Sequence, residues 1–383
     1  MRDTQHLRVA LVVDTLGHAG NGTSNSAAQF AAGLERQGHE ARLVGIGAPD
    51  PRYAAREKNI PMVTRYARPH QMAFAEPDDE LFARAFDGVD LVHIYMPFDF
   101  GQAALKYCLA QSIPVTAGFH VQPENIVASA PFLKIVPNIE HIIYRYFWET
   151  FYQHVRFIHV PSEMEKRELE KNGYTQKLTV FSNGYDAQLF RERETSAVRT
   201  APFIVAASGR LSAEKGHDAL IYAVSKMRHK QDVHVNIAGA GPCEEELRKF
   251  AETMLEPGQW SLGFVQHEQM PAFLASADLL VHCSSADIEG ISVIEAMATG
   301  VVPVVARAEQ SAASEFALCE QSAYEWGNVD ELAAKLDWWV EHPDELRAWG
   351  PRYAAAARER YSLERSVRSF VDMACRACVE VGK

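Results

Sequence analysis

Two acids bracket the most chemically suggestive stretch of the chain, Asp287-Ile-Glu-Gly-Ile-Ser-Val-Ile-Glu295, which runs directly into Ala-Met-Ala-Thr-Gly300. A helix beginning near Ile291 would aim unpaired backbone N–H groups at whatever lies before it, an arrangement suited to a diphosphate. Glu295 falls about one helical turn further in, where a carboxylate can accept hydrogen bonds from ribose hydroxyls. A plain βαβ corner with two solvated acids would use the same residues, since the helix dipole favours acids there anyway. A second cluster, Gly209-Arg-Leu-Ser-Ala-Glu-Lys-Gly-His217, places Arg210 and Lys215 around a turn after a strand. Arg through its planar fork and Lys as a point charge make a clamp for phosphate oxygens. A third candidate is His120, at the end of the strand Ile113–Phe119.

These groups need elements to hold them. Val301-Val-Pro-Val-Val305 reads as a short buried parallel strand after the Ala-rich helix. Upstream, Phe203–Ser208, Val233–Ala238 and Leu279–His282 are strands, with helices from His217 towards His229, over Glu244–Met254 and over Met270–Ser276. Two polar helices, Asp330–His342 and Pro343–Arg360, follow, and Ser362–Val381 is a last helix that could pack back on the first half.

The N-terminal half repeats the alternation. Leu7–Asp14 is a buried-strand pattern, followed by glycines at 17, 20 and 22, a helical run to Gln37 and a second strand, Glu40–Ile46. This is a Rossmann-like start. The order GxxGxG, with no acid closing the second strand, argues against a nicotinamide dinucleotide. Val89–Tyr95 and Ile113–Phe119 are strands flanking a helix over Phe100–Gln111. Ligands bind beyond the carboxyl ends of strands in open parallel sheets, which places His120 well for chemistry; a hydrogen-bonded loop histidine is the plainer reading. Residues 139–155 carry apolar groups at 139, 142, 143, 146, 147 and 151, a helical stripe expected to pack into the core. Its aromatic density, with Lys134, Arg145 and Arg156 nearby, also suits a membrane surface. The polar run 191–201 reads as a linker.

Length and composition set bounds. A chain of 383 residues carries two domains comfortably. A net charge of −12 without a dense basic stripe argues against nucleic acid as a partner. No apolar run reaches the roughly 20 residues of a membrane span, and no signal-peptide pattern precedes the first strand. Of six cysteines only Cys375 and Cys378 form a C-x-x-C pair, read as reduced thiols, so the cytoplasm is the expected compartment. Fifteen histidines show no HExxH or comparable metal spacing, and no metal site is expected.

Taken in order, several motifs resemble one family. They are Gly20–Thr23 before a helix ending Gly38-His39-Glu40, Pro161-Ser162-Glu163, and Asn183-Gly184-x-Asp186. They continue with Gly209-Arg210-Leu211-x-x-Glu214-Lys215-Gly216, Ile237-Ala238-Gly239-x-Gly241-Pro242, and the acid-x7-acid loop with Gly300-x-x-Pro303. The ordered set, spanning nearly the whole chain, resembles retaining glycosyltransferases of family 4. That resemblance implies an α/β GT-B fold, two Rossmann-like doubly wound domains facing a central cleft. The boundaries expected are 1–190, a linker 191–201, 202–361, and a terminal helix 362–383.

The resemblance also implies roles. Arg210 and Lys215 would bind the donor diphosphate, Ile291 and Ser292 would supply backbone N–H groups to it, and Glu295 would hold the ribose. Gly22 would approach the donor from the other domain, and His120 would lie near the acceptor and the reacting sugar. The family's first acid is normally Glu followed by Gly; here Asp287 is followed by Ile288, and Glu289-Gly290 comes two places later. Gly290 matches the family's second glycine, which gives Asp287 the sugar-contacting role, with Glu289 able to share or replace it. The expected reaction is metal-independent, anomer-retaining transfer of a hexose from a nucleotide sugar, UDP-glucose favoured, with no cofactor. His120-x-Gln-Pro-Glu-Asn125, the Asp-Ile-Glu-Gly variant and the aromatic helix resemble bacterial glycolipid enzymes. They favour a membrane lipid such as diacylglycerol over a surface polysaccharide as acceptor, with peripheral contact at the inner face of the membrane. A nucleotide-sugar epimerase or hydrolase on the same fold is the alternative of another class.

Overall fold

The computed structural model describes residues 6–17, 22–60, 72–193 and 202–381. Gly20 and residues 194–201 of the expected linker lie outside that set. The chain divides into two compact units, Met1–Asn183 with Leu363–Lys383, and Gly184–Ser362.

In the first unit the order is β1 (Arg8–Thr15), α1 (Gly22–Arg36), β2 (Glu40–Ile46), α2 (Asp79–Ala85), β3 (Leu91–Ile94) and α3 (Asp99–Ala110). It continues with β4 (Val115–Gly118), α4 (Pro123–Ser129), α5 (Ile139–Thr150), β5 (Phe157–Val160), α6 (Glu163–Lys171) and β6 (Lys177–Val180). The six strands form one sheet in the order β2-β1-β3-β4-β5-β6, and every pairing is parallel. The apolar residues of β1, β3 and β5 are buried, while several on the edge strands β2 and β6 are half-buried, since both faces of such a sheet are covered at its centre.

The second unit holds β7 (Phe203–Ser208), α7 (His217–Lys226), β8 (Val233–Ala238), α8 (Glu244–Met254), β9 (Trp260–Gly263), α9 (Met270–Ala275) and β10 (Leu279–His282). There follow β11 (Ala286–Asp287), α10 (Ile291–Ala298), β12 (Val302–Arg307), β13 (Gln310–Ser311), β14 (Ala323–Glu325), α11 (Val329–Glu341) and α12 (Pro343–Arg360). Its main sheet runs β14-β12-β10-β7-β8-β9, while β11 and β13 make a small ladder beside the acidic loop.

The last helix, α13 (Leu363–Val381), belongs to the first unit. Leu363, Val367, Phe370, Met373, Ala374 and Ala377 form its buried stripe. It lies against α1 at Gly33, where a Cβ would come within 2.8 Å of the Val367 side chain. Phe30 and Phe370 meet edge to face, ring centroids 5.5 Å apart.

By contacts the units divide between Asn183 and Gly184, and Tyr185 and Phe190 are buried in the core of the second unit. Arg193 also donates to the Ala275 and Ala277 carbonyls, so this end of the expected linker is part of that unit. The helix read over 139–155 ends at Thr150, and its stripe does not all pack inward. Tyr144 and Phe147 are buried, whereas Ile142 and Tyr146 are exposed. The buried face runs through Tyr144, Phe147 and Phe151, with Tyr144 in place of Ile142.

Candidate active site

In the second unit the turn after β7 is stitched to the turn after β8. Gly209 N–H donates to Ala238 O, and Leu211 N–H to Ala240 O, each at 3.0 Å. Gly239 and Gly241 permit this approach; a Cβ there would lie 2.0 Å from Gly209 O or 2.4 Å from Leu211 O. Their absence of a side chain serves backbone contact between two turns of the same unit.

That stitched turn carries the expected cations, and both have internal partners. Arg210 Nη2 donates to Glu214 Oε1 at 2.6 Å, and Ser212 Oγ donates to the same oxygen at 2.5 Å. Burial opposes the charge on Glu214, but Arg210 and Ser212 outweigh it and lower its pKa. Lys215 Nζ lies 2.5 Å from Asp287 Oδ2, and His282 Nε2 lies 3.0 Å from the same oxygen. Asp287 Oδ1 accepts the N–H groups of Gly290 at 3.0 Å and Glu289 at 3.3 Å. Burial would raise the Asp287 pKa; the Lys215 charge and the His282 contact overcome it and hold this carboxyl well below the usual range.

A carboxylate offers about four acceptor positions, and Asp287 uses all of them inside its own unit. A sugar hydroxyl reaches Asp287 only by displacing one contact, and the Glu289 N–H bond is the longest. Glu289 itself is 2% exposed.

Gly290 caps α10 in the left-handed region, φ 90°, where L side chains are strained. At this start the Ile291 and Ser292 N–H groups have no intrahelical acceptor. Glu295, one turn in, is 8% exposed, and burial raises its pKa to about 8. Its carboxyl has no hydrogen-bond partner among the described residues, unlike the carboxyls of Glu214 and Asp287.

Linkage gives this a measurable sign. Glu295 keeps its proton in the folded state up to about pH 8, whereas its ordinary value is 4.5, so stability is lost as pH rises between the two. Glu295→Gln is therefore expected to match the wild type near pH 4.5 and to exceed it increasingly towards pH 8. The upper limit of the slope is about 1.4 kcal/mol per pH unit. Urea midpoints across that range test it, and a constant gap would mean that the carboxyl ionises freely in the fold.

In the first unit His120 follows β4, but its ring is turned back over Gly118, where a Cβ would lie 2.1 Å from His120 Nε2. The ring stacks on Tyr95 at 4.8 Å and meets His159 edge to face at 5.3 Å. His93 of β3 lies edge to face with Tyr95 at 5.0 Å. Burial keeps all three imidazoles neutral, His159 being pushed down to about 4. Sequence reasoning assigned nothing to His93, His159 or His282. Their shared signal is a histidine at or next to the carboxyl end of a buried strand, in Val-His93-Ile, Ile-His159-Val and Val-His282.

Asp14, at the end of β1, was also overlooked. It is 2% exposed, accepts the Ala75 N–H at 3.2 Å, and burial raises its pKa to about 7. It lines a hollow of about 100 Å³ with Lys58, Phe74, Phe98, Gln102 and Tyr146.

Two Rossmann-like units, each built on a six-stranded parallel sheet, define the GT-B class of fold. The structure of sucrose-phosphate synthase from Thermosynechococcus elongatus shares it, with a TM-score of 0.77 at 14% identity, covering 98% of this chain and 100% of that one. The Glycosyltransferase Family 4 model matches residues 20–189 and the Glycosyl transferases group 1 model matches 190–355. Together they take in both units, and the chain belongs to this glycosyltransferase family. Among its relatives is a sulfoquinovosyl transferase of Arabidopsis thaliana, 25% identical over 79% of this chain; the match spans 60% of the plant protein's length. A GDP-mannose-dependent alpha-mannosyltransferase of Corynebacterium glutamicum is 26% identical, over 79% of this chain and 73% of that protein. An alpha-monoglucosyldiacylglycerol synthase of Acholeplasma laidlawii is 19% identical, over 57% of this chain and 58% of that protein.

Proposed function

We propose that the protein is an anomer-retaining glycosyltransferase that moves a hexose from a nucleotide sugar, UDP-glucose favoured, to the hydroxyl of a membrane lipid such as diacylglycerol. The observation that carries the donor side is Glu295, a buried carboxyl without a hydrogen-bond partner among the described residues, one turn inside a helix whose first N–H groups have no intrahelical acceptor. A ribose supplies the hydroxyls that this carboxyl lacks. The diphosphate then lies against the Ile291 and Ser292 N–H groups, with Lys215 and Arg210 as its cations. Asp287 and Glu289 stand on the sugar side, Gly22 approaches the donor, and His120 lies near the reacting sugar.

In the reaction the bond between the anomeric carbon and the diphosphate oxygen breaks. The charge that develops on that oxygen is met by cations and dipoles already in place, with no metal required there. The acceptor oxygen attacks from the face the diphosphate leaves, and its proton passes to a leaving phosphate oxygen, so configuration is retained.

The lipid acceptor is supported by the surface beside α4 and α5. Phe132, Ile135, Val136, Ile142 and Tyr146 are all exposed, Ile135 to 83%, and Lys134 and Arg145 stand among them. Tyr146 also lines the hollow that holds Asp14, which joins an apolar lip to a polar base. No helix among the described residues is long and apolar enough to cross a membrane, so contact through this patch would be peripheral. The alpha-monoglucosyldiacylglycerol synthase relative points the same way.

The test is a panel of UDP- and GDP-sugars against diacylglycerol vesicles and soluble glycans, with the anomeric configuration of the product determined. Transfer to glycans alone would replace the lipid acceptor with a polysaccharide, and donor epimerised or hydrolysed without any acceptor would replace transfer itself. Phe132→Asp with Ile135→Asp is expected to weaken vesicle binding about tenfold or more, because two large apolar side chains no longer enter the interface. Unchanged vesicle binding would move the contact elsewhere.

A further inference from the structure

His93, His120 and His159 come from the ends of three adjacent strands, β3, β4 and β5. One ring nitrogen from each lies within 4.8 Å of the other two. His159 Nε2 is 2.7 Å from the Phe181 carbonyl oxygen, which can only accept, so Nε2 bears the proton and Nδ1 keeps a lone pair. His93 Nδ1 pairs with Thr116 Oγ1 at 2.9 Å, leaving Nε2. His120 Nε2 is buried with no hydrogen-bond partner among the described residues. As mere packing, this leaves a buried polar atom unsatisfied, which is costly.

We propose that the three imidazoles form a site for a divalent transition-metal ion of the zinc type, with a fourth position left to water or a bound hydroxyl. Neutral imidazole suits such ions. The bonds from His159 to a carbonyl and from His93 to a hydroxyl are the outer contacts that orient ligating histidines. Metal–nitrogen distances of about 2.0–2.1 Å set tetrahedral ligands about 3.4 Å apart, so the nitrogens, within 4.8 Å of one another, close by up to about 1.4 Å on binding. All three ligands lie in the first unit, whereas Arg210 and Lys215 belong to the second. It ties three strand ends together and, by taking His120 Nε2, leaves Nδ1 of that ring as an N–H donor. The proposal does not depend on the lipid or donor assignment.

The full chain, stripped with a chelator, is dialysed against Zn²⁺ and, separately, against Co²⁺ as a spectroscopic probe. One ion per chain is expected, with the visible absorption of tetrahedral Co²⁺ and a raised thermal midpoint. His120→Ala is expected to weaken uptake about 100-fold or more, while its metal-free midpoint stays near that of the metal-free wild type. Cys375→Ser with Cys378→Ser is expected to leave uptake unchanged. The proposal is overturned if the wild type takes up no ion saturably. It is equally overturned if uptake survives in His120→Ala or disappears with the cysteines.

Discussion

Lys215→Ala is expected to lower the rate of glycosyl transfer at least about 100-fold, the scale of removing one preorganised transition-state charge donor. The ammonium sits on Asp287 Oδ2 at 2.5 Å, with its side chain 19% exposed, so it is held in place before any ligand arrives. A cation fixed by the fold need not reorganise when the leaving diphosphate gains charge. Its removal also leaves Asp287 buried with His282 and two backbone N–H groups, and the Asp287 pKa should rise because the strongest opposing charge is gone. Arg210→Ala should act similarly, by exposing Glu214 to the same loss of its partner. Lys215→Arg keeps the charge but not the point geometry and should recover only part of the rate. Single-turnover rates, with circular dichroism to confirm folding, provide the measurement. Turnover like the wild type in both alanine variants would remove the clamp from the mechanism.

Gly241→Val should act on folding before it acts on catalysis. Even the first carbon of the new side chain would lie 2.4 Å from Leu211 O and 2.7 Å from Leu211 N, which are backbone atoms that cannot swing aside. The turns after β7 and β8 would have to separate, breaking the Leu211–Ala240 bond and displacing Arg210 with it. Overpacking of this kind costs about 3 kcal/mol or more, which a shift of the urea midpoint would register. Gly22→Ala provides the contrast, since nothing lies within 4 Å of a Cβ at that position. It should leave stability nearly unchanged and, where Gly22 meets the donor, weaken donor binding. Equal loss of stability in the two variants would overturn the packing account of Gly241.

Strand and helix succession was readable because buried parallel strands are short apolar runs bounded by turns, as in Leu279–His282, and longer, charged stretches such as Glu244–Met254 alternate with them as helices; each forms the element expected. Less readable were α2 and α4, seven residues each, too short for helical periodicity to stand out. Polarity marks the loop near 191 and says nothing of which core Phe190 enters; that is decided by contacts across the second unit.

By itself, the order of residues determined the two α/β units, the positions of Arg210 and Lys215 around a turn after a strand, and Glu295 one turn into a helix that begins near Ile291. All of these are local: a turn, a helix start, a spacing along one element. Only the tertiary structure decided that Lys215 is paired to Asp287, seventy-two positions away, with His282 on the same oxygen. The same holds for Glu295, left without a hydrogen-bond partner among the described residues, and for His93, His120 and His159, which meet only because β3, β4 and β5 are neighbours in the sheet. Periodicity sets which face a side chain takes, whereas strand order and burial set what it meets there, and neither can be counted along the chain.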